Sequence, residues 1–518
     1  MQTVPTLFNQ LAQGNVRPHT WGLRISFDKA FDDDVTFFTL DTSVLDGIDL
    51  LSPSEDNPIQ AWDYYDYADF TERLIYMSVT RELDFPYSVV NSVADFQLNN
   101  YDKYFTPNSG SPIDAYILPK RPVRLLQGLS STILPQFVGL TQGMPEIDRG
   151  NATATFTAMD FLTQIFDMPI RNTIAMANVY TGEVLRNILE QFGLAPEQYD
   201  IPDGRNKIPF LFFEREQQTA GEVIRPLMQA EGGALWLDEL GIIRFQPRLE
   251  QPSEAVYIFD EDSINNISTT GDDQIINHVI INTDVREVQD YQVVYSKSET
   301  DTSLHVVPAG GTYVFQAALQ DPCLTIEEPT IGENSSVSWF VPTKTDGTVV
   351  GSNVTVSSVE LKTNTYDITF SNSNSFPVDI SQLYLWGQPA KEISLEPTVY
   401  ESSDTTSIAK YEDKSLTISN NFIQSIDQAR SLALTILDEY AEYADIIEIE
   451  VKGNPALQLS DIIEVDYQEY TGNYRIISIS NKLQDSKYTQ IIKGRKYTPR
   501  DWFTLDQSVL DGTDVLAP

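Results

Sequence analysis

Carboxylates are the groups most able to do chemistry in this sequence, and their most regular pattern is a segment that occurs twice. Residues 38–53 and 503–518 agree at 12 of 16 positions, and each contains an Asp-Gly pair among further Asp residues. An EF-hand loop needs oxygen ligands at positions 1, 3 and 5, Gly at 6 and Glu at 12. With Asp41 at position 1, Gly47 falls at position 7 and no Glu stands at position 12. The pattern favours tight turns over a calcium site.

The other reactive side chains form no recognisable catalytic motif. The sequence lacks a phosphate-binding P-loop, a strand-linked G-x-G-x-x-G, a G-x-S-x-G elbow and an H-E-x-x-H helix. Glycoside hydrolysis needs two carboxyls at a fixed gap, and nothing singles out two of the 75 acidic residues. The aromatic run at 62–67 could line a sugar groove, but anchoring to a partner is the preferred interpretation. We therefore expect no enzyme, and no catalytic or cofactor-binding residues.

Metal and disulfide chemistry are equally unsupported. Cys323 is the one cysteine, so neither an intrachain disulfide nor a thiolate metal site can form. The histidines His19, His278 and His305 lie far apart in sequence. We expect no metal site and no cofactor.

Acidic residues dominate the charge of the chain. Asp and Glu outnumber Lys and Arg by 75 to 34 in 518 residues, which gives a net charge of −41. Such a chain repels phosphates, so tight nucleic-acid binding is not expected. The charge indicates a solvated surface, or a passage along which DNA slides without sticking. No run of about 18 apolar residues and no secretion signal occurs, so we expect a soluble protein made in a cytoplasm.

Three stretches have helical periodicity. Residues 182–193 and 221–232 echo each other, and Thr219 with Glu222 forms a capping box before the second stretch. Pro226 lies inside that stretch and predicts a short or kinked helix. The clearest helix begins after Ser425, which forms a capping box with Gln428. Most of the remaining sequence has the short alternating runs of β-strands, so the pattern predicts a β-rich α+β protein.

Three strand-rich stretches resemble tail proteins of long-tailed bacteriophages, in particular the hub of the baseplate or tail tip. They are VADFQLNNYDKYFTPNSGSPI, NATATFTAMDFLTQIF and SIDQARSLALTILDEYAEYADIIEIEVKGNPALQLSDIIEVD. The last is the most specific, and it departs from the family at Ser460, where Gly is usual. This departure leaves the geometry of the turn open.

The resemblance implies two tail-tube-like β-barrel or sheet domains with packed helices, a small α/β domain and an all-β insert. The expected organisation is an extended acidic N-terminal arm (1–70), the first tube-like domain (71–150), the mixed α/β domain (151–250), the start of the second tube-like domain (251–300), the insert (301–400), the second tube-like domain with its long helix (401–500) and a C-terminal clip (501–518).

The resemblance also implies a structural role in the virion. Hub proteins of this kind form a homotrimer that caps the tail tube, organises assembly of the tip and forms part of the DNA exit channel. The implied partners are tail-tube or distal tail proteins, other baseplate and fibre proteins, the tape-measure protein and DNA in transit. A distal tail ring or a peripheral receptor-binding protein is the first alternative, and an enzyme that degrades cell wall or capsule is the second.

The repeated acidic segment receives an assembly role in this scheme. We expect each copy to dock as an extended clip with a tight turn into an equivalent groove, on a tube-like domain or on an adjacent tail protein. The expected clip residues are Phe38, Leu40, Asp41, Leu45, Asp46, Gly47, Leu51, Phe503, Leu505, Asp506, Leu510, Asp511, Gly512 and Leu516.

Overall fold

The fold is seen in a computed structural model, and it is β-rich with several sheets, as the sequence predicts. The structure describes residues 1–14, 17–27, 67–83, 88–90, 92–248, 254–271, 275–298, 300–301, 303–334, 336–392, 398–484 and 487–497. Within these ranges no sheet closes into a barrel, so the expected barrel form of the tube-like domains is replaced by an open sheet. The helices are α1 (Thr6–Gln13), α2 (Phe161–Phe166), α3 (Thr181–Gln191), α4 (Ala220–Glu231), α5 (Thr405–Tyr411) and α6 (Ile426–Tyr440).

Strands occur along the chain on both sides of residue 275. Those before it are β1 (His19–Ile25), β2 (Ala68–Asp69), β3 (Leu74–Glu82), β4 (Ser88–Val90), β5 (Val93–Asn99), β6 (Pro122–Leu129), β7 (Thr132–Thr141), β8 (Glu146–Asp148), β9 (Thr153–Asp160), β10 (Ile174–Tyr180), β11 (Tyr199–Asp200), β12 (Lys207–Phe213), β13 (Ala234–Leu237), β14 (Ile243–Gln246), β15 (Tyr257–Asp260) and β16 (Ile264–Gly271).

Those after it are β17 (His278–Thr283), β18 (Arg286–Val288), β19 (Gln292–Lys297), β20 (Val306–Val307), β21 (Thr312–Ala318), β22 (Cys323–Ile326), β23 (Thr330–Ile331), β24 (Trp339–Thr343), β25 (Val354–Leu361), β26 (Thr365–Asn372), β27 (Val378–Glu392), β28 (Thr398–Ser403), β29 (Ser415–Ser419), β30 (Asp445–Val451), β31 (Ile462–Tyr467), β32 (Tyr470–Gln484) and β33 (Lys487–Lys496).

One large sheet joins the two ends of the described chain. Its main path runs β16-β30-β33-β32-β3-β5-β9-β7-β6-β1-β2. The seam between the two halves is the antiparallel pair β3–β32, which extends from Tyr76 opposite Gln484 to Glu82 opposite Ser478. Strands from 68–160 and from 257–496 therefore belong to a single hydrogen-bonded layer.

The predicted capping boxes are present. Ser425 Oγ accepts a hydrogen bond from the Gln428 amide, and Gln428 Oε1 accepts one from the Ser425 amide, both at 3.1 Å. Thr219 and Glu222 make the same exchange before α4, which ends at Gly232 in the left-handed conformation (φ 66°). Pro226 lies inside α4 without shortening it, because the helix runs for 12 residues.

The beginning of the chain differs from the expected extended arm. Residues 6–13 form α1, and β1 pairs with β6 from His19 to Ile25. Leu23 and Ile25 are fully buried in the core of the first half of the sheet. The alternating apolar residues of β1 make it a core strand. This short pattern is easily overlooked because a long acidic stretch follows it. The rest of the arm, 28–66, lies outside the described residues.

The all-β insert begins earlier than the sequence predicts. Strands β18 and β19 pair with β27, so the insert extends from about Arg286 to Glu392. A seven-stranded sheet and a three-stranded sheet within it enclose their own apolar core. The chain leaves the main body at Thr283 and returns at Thr398, and these two residues are direct partners in the pair β17–β28. Helix α6 packs on that small sheet.

The mixed domain has the largest apolar cluster. Helices α2, α3 and α4 bury residues such as Leu162, Ile188 and Leu227 against strands β10 to β14. The hairpin β13–β14 turns at residues 238–242. No helix of the described residues is long and apolar enough to cross a membrane.

Candidate assembly surface

The predicted clips cannot be placed on this fold. All 14 of their residues fall within 28–66 and 498–518, which lie outside the described residues. The docking of the clips remains a prediction. The large sheet offers the candidate assembly surface among the described residues.

One face of the large sheet is largely polar across seven strands, from β9 through the seam to β16, and the end of α6 covers it at Arg495. On β3 the side chains of Met77 and Val79 are buried, whereas Thr80 and Glu82 point to the polar side. The same alternation continues in the neighbouring strands, because successive side chains of a strand point to opposite faces. We call this side the outer face. One of its rows across the sheet is Met159, Val93, Thr80, Ser480, Ile491, Glu450 and Asn266.

Short polar side chains bind each other along the outer face. Thr80 and Ser480 share a hydrogen bond of 3.0 Å directly across the seam. Thr157 donates to Asp95 at 2.6 Å on the neighbouring pair of strands. The Thr80–Ser480 pair fixes the register of the two halves from the solvent side, and the Thr157–Asp95 pair does so for β5 and β9.

Charge on the outer face is nearly balanced. Lys493 pairs with Glu82 at 3.2 Å across β32. On the seven strands the basic side chains of this face are Arg475, Lys482, Lys487, Lys493 and Arg495, and the acidic ones are Glu82, Asp95, Glu448 and Glu450. The acidity of the chain is thus not concentrated here. A polyanion near this face would be neither strongly held nor strongly repelled.

The opposite side of the seam carries a buried polar network, which we call the junction. Arg81 on β3 forms an ion pair of 2.5 Å with Glu239 from the β13–β14 turn, and both side chains are 3% exposed. Arg81 Nε also donates to Ser92 Oγ at 3.1 Å, and its terminal nitrogen donates to the carbonyl oxygen of Gln136. The junction thereby links the sheet to the mixed domain.

The junction extends into the second half of the sheet through amide side chains. Gln458 donates to Glu239 at 2.6 Å, and Gln136 donates to the carbonyl oxygen of Pro455 at 2.7 Å. Asn481 on β32 donates to Gln136 Oε1 at 2.9 Å. Three separate parts of the fold are therefore held by one set of buried hydrogen bonds.

Asp160 completes the junction at the end of β9. Its Oδ2 accepts a hydrogen bond of 2.6 Å from the Ser92 amide, while Oδ1 makes no hydrogen bond of good geometry. Burial raises the pKa of this carboxyl to about 6, against the opposing effect of the nearby Ser92 and Thr163 amides and of Arg81. No sequence motif marks Asp160, Arg81 or Glu239 as partners.

Ser460 adopts the left-handed backbone conformation that favours glycine. Its φ is 67°, in the left-handed region, and the residue is buried. Its Oγ donates to Gln246 of β14 at 2.7 Å. The side chain that strains the turn thus contributes a second link between the mixed domain and the second half of the sheet.

The three histidines and the cysteine have different surroundings. His278 sits between Glu401 at 2.8 Å and Asp413 at 3.1 Å, and these carboxylates raise its pKa, with Glu401 making the larger contribution. Burial lowers the pKa of His19 to about 4 and raises that of Cys323 to about 12. Among the described residues, no group of three or more His, Cys, Asp or Glu could hold a metal ion.

Comparison with solved structures returns tail proteins and related secretion components. A 43 kDa tail protein of prophage MuSo2 from Shewanella oneidensis matches at 10% identity over 83% of this chain and 94% of its own, with a TM-score of 0.44. A tail protein of Neisseria meningitidis matches at 8% identity over 92% and 96%, with a TM-score of 0.45. The E. coli c3393 protein, a component of the type VI secretion system, matches at 7% identity over 83% and 78%, with a TM-score of 0.37.

The chain resembles phage and prophage tail proteins. The sequence motifs resemble proteins of the same kind. The TM-scores are all below 0.5, so these matches do not decide what this chain does. No protein-family model matches the sequence, and no curated protein matches it.

Proposed function

We propose that this chain is a structural protein of a phage tail tip, the hub that caps the tail tube and forms part of the DNA exit channel. The observation that carries the proposal is the seam β3–β32, which joins two strand-rich halves edge to edge in one sheet. A tube wall is a row of such units joined side by side. A chain that already contains two units needs only three copies to supply six.

The outer face has the character of a channel lining. It is continuous across both halves, and most of its side chains are hydroxylated, amide-bearing or charged, with balanced charges. Such a surface gives a passing phosphate backbone no strong site at which to bind. In this proposal the wall of the channel is polar and nearly neutral, and the negative charge of the chain lies mainly elsewhere.

The remaining parts of the chain face away from the channel in this proposal. The junction fixes the mixed domain to the buried side of the sheet, and the insert leaves the main body through β17 and β28. These parts would contact distal tail, baseplate, fibre and tape-measure proteins. The two clips would dock in equivalent grooves of such neighbours or of another copy of the chain.

Electron cryomicroscopy of purified virions tests the proposal. The chain should lie on the tail axis in three copies, with Thr80 and Lys482 of the outer face toward the lumen. Six copies, a peripheral position, or an outer face turned away from the axis would contradict it.

A receptor-binding role is the second candidate, and the self-contained core of the insert favours it. An insert of this kind can present a surface to a host cell without disturbing the sheet. Virions that lack residues 286–392 distinguish the two roles. Loss of adsorption with intact tails supports receptor binding, whereas loss of tail assembly supports a structural role for the insert.

A further inference from the structure

We propose that the junction takes up one proton at Asp160 in mildly acidic solution, and that this proton stabilises the folded chain. The inference concerns regulation of the fold and is independent of the proposed place in a virion. It is carried by the charge count and the burial of three side chains.

The junction contains one cation and two carboxylates. Arg81 is paired with Glu239, and its Nε binds Ser92, whose amide binds Asp160. The side chains of Arg81 and Glu239 are 3% exposed, and Asp160 is also 3% exposed. One negative charge therefore remains uncompensated in a site shielded from water, where an ionised group is costly.

Among the described residues, Arg81 is the cation that acts on Asp160, and it is already paired with Glu239. The elements packed around Asp160 contribute Gly139 of β7 opposite it, the uncharged first turn of α2, and the Ser92 backbone. Asp238, next to Glu239, is paired with Arg244 outside the cluster, at 2.9 Å. One proton would restore neutrality. Oδ1 of Asp160, which makes no hydrogen bond of good geometry, can hold it.

The direction of the effect follows from linkage. The pKa of Asp160 in the folded chain is about 6, above the ordinary value of 3.8, so the folded state binds the proton more tightly than the unfolded state. The added stability is present in full below pH 3.8 and is lost as the pH rises through 6. It should grow as the pH falls from 7.5 to 5.

Urea unfolding of the full chain at pH 7.5 and pH 5 tests the inference. Between these two values the unfolding equilibrium constant of the wild type should fall by about tenfold relative to that of Asp160→Asn. The matched control is Asp95→Asn on the outer face, which should keep the wild-type dependence on pH. An Asp160→Asn variant with the wild-type dependence would overturn the proposal.

A second variant separates proton uptake from a general loss of packing. In Glu239→Gln the cluster has one cation and one carboxylate, so it is neutral without a proton and Arg81 is free to compensate Asp160. This variant should lose part of the pH dependence while Asp160 is still present, because burial, the largest cause of the raised pKa, is unchanged. If Glu239→Gln keeps the full wild-type dependence, the charge count is not the cause and the proposal fails. This variant carries the test if Asp160→Asn does not fold.

Discussion

At the seam, both faces of the large sheet carry polar side chains, but their hydrogen bonds contribute differently to stability. On the outer face, Thr80 and Ser480 bind each other while remaining accessible to water. On the inner face, Arg81 and Asn481 are at most 3% exposed, and their partners are buried with them. Water can replace any bond that is lost on the outer face, but it cannot do so in the junction. The comparison teaches that polarity alone does not show where a polar residue specifies the fold.

Breaking the ion pair of the junction should have the largest effect. Arg81→Met leaves Glu239 and Asp160 buried without their cation, so the free energy of unfolding should fall by about 3–5 kcal/mol. The matched change on the outer face is Lys493→Met, whose pair with Glu82 is half exposed and should cost at most about 1 kcal/mol. Urea unfolding at pH 7.5 measures both. Equal losses would remove the distinction between the faces.

The amide network should come next. Gln136→Leu removes the acceptor of Asn481 and the donor to the Pro455 carbonyl, which should cost about 2 kcal/mol because both groups stay buried. Gln97→Leu on the outer face loses its bond to Thr155 and should change stability by less than about 0.5 kcal/mol. Thermal unfolding of the two variants gives the comparison, and a larger loss for Gln97→Leu would refute it.

Ser460 gives a finer test of the inner side. Ser460→Ala loses the bond to Gln246 and keeps the strained φ of 67°, so it should be destabilised by about 1 kcal/mol. Ser460→Gly loses the same bond but relieves strain of about 1 kcal/mol, so it should stay close to the wild type. The expected order of unfolding midpoints places Gly above Ala. The reverse order would show that the turn is not strained.

The smallest change in stability should come from new charge on the outer face. Thr80→Lys is accommodated in water and should shift the unfolding free energy by less than about 0.5 kcal/mol. If this face lines a channel, the added lysines should slow DNA release from virions, and higher salt should restore the rate. Normal release at low salt would argue against the lining while leaving the fold unchallenged.

The sequence predicts the local parts of this fold well. The capping boxes at Thr219 and Ser425 define helix starts that the structure contains. The alternation in residues 74–82 and 470–496 likewise predicts strands that form. Both signals arise from residues within one turn or one strand, so they are readable without knowledge of the tertiary structure.

The seam and the junction could not be predicted in this way. Thr80 and Ser480 are 400 residues apart, and nothing in either strand specifies the other as its partner. Arg81 resembles any exposed residue of a strand, because its partner Glu239 lies in a distant turn. The beginning of the chain differs from the predicted arm for a related reason. Its acidic composition dominates the first 70 residues, whereas β1 depends on β6, about 100 residues later, to form a core.

The insert has a consequence for engineering. Thr283 and Thr398 are direct partners in adjacent strands, so the two ends of the insert lie next to each other. A short turn could bridge that gap in place of the intervening sandwich. The same two positions offer a graft point at which an unrelated folded cargo could be displayed, provided that its own termini lie close together.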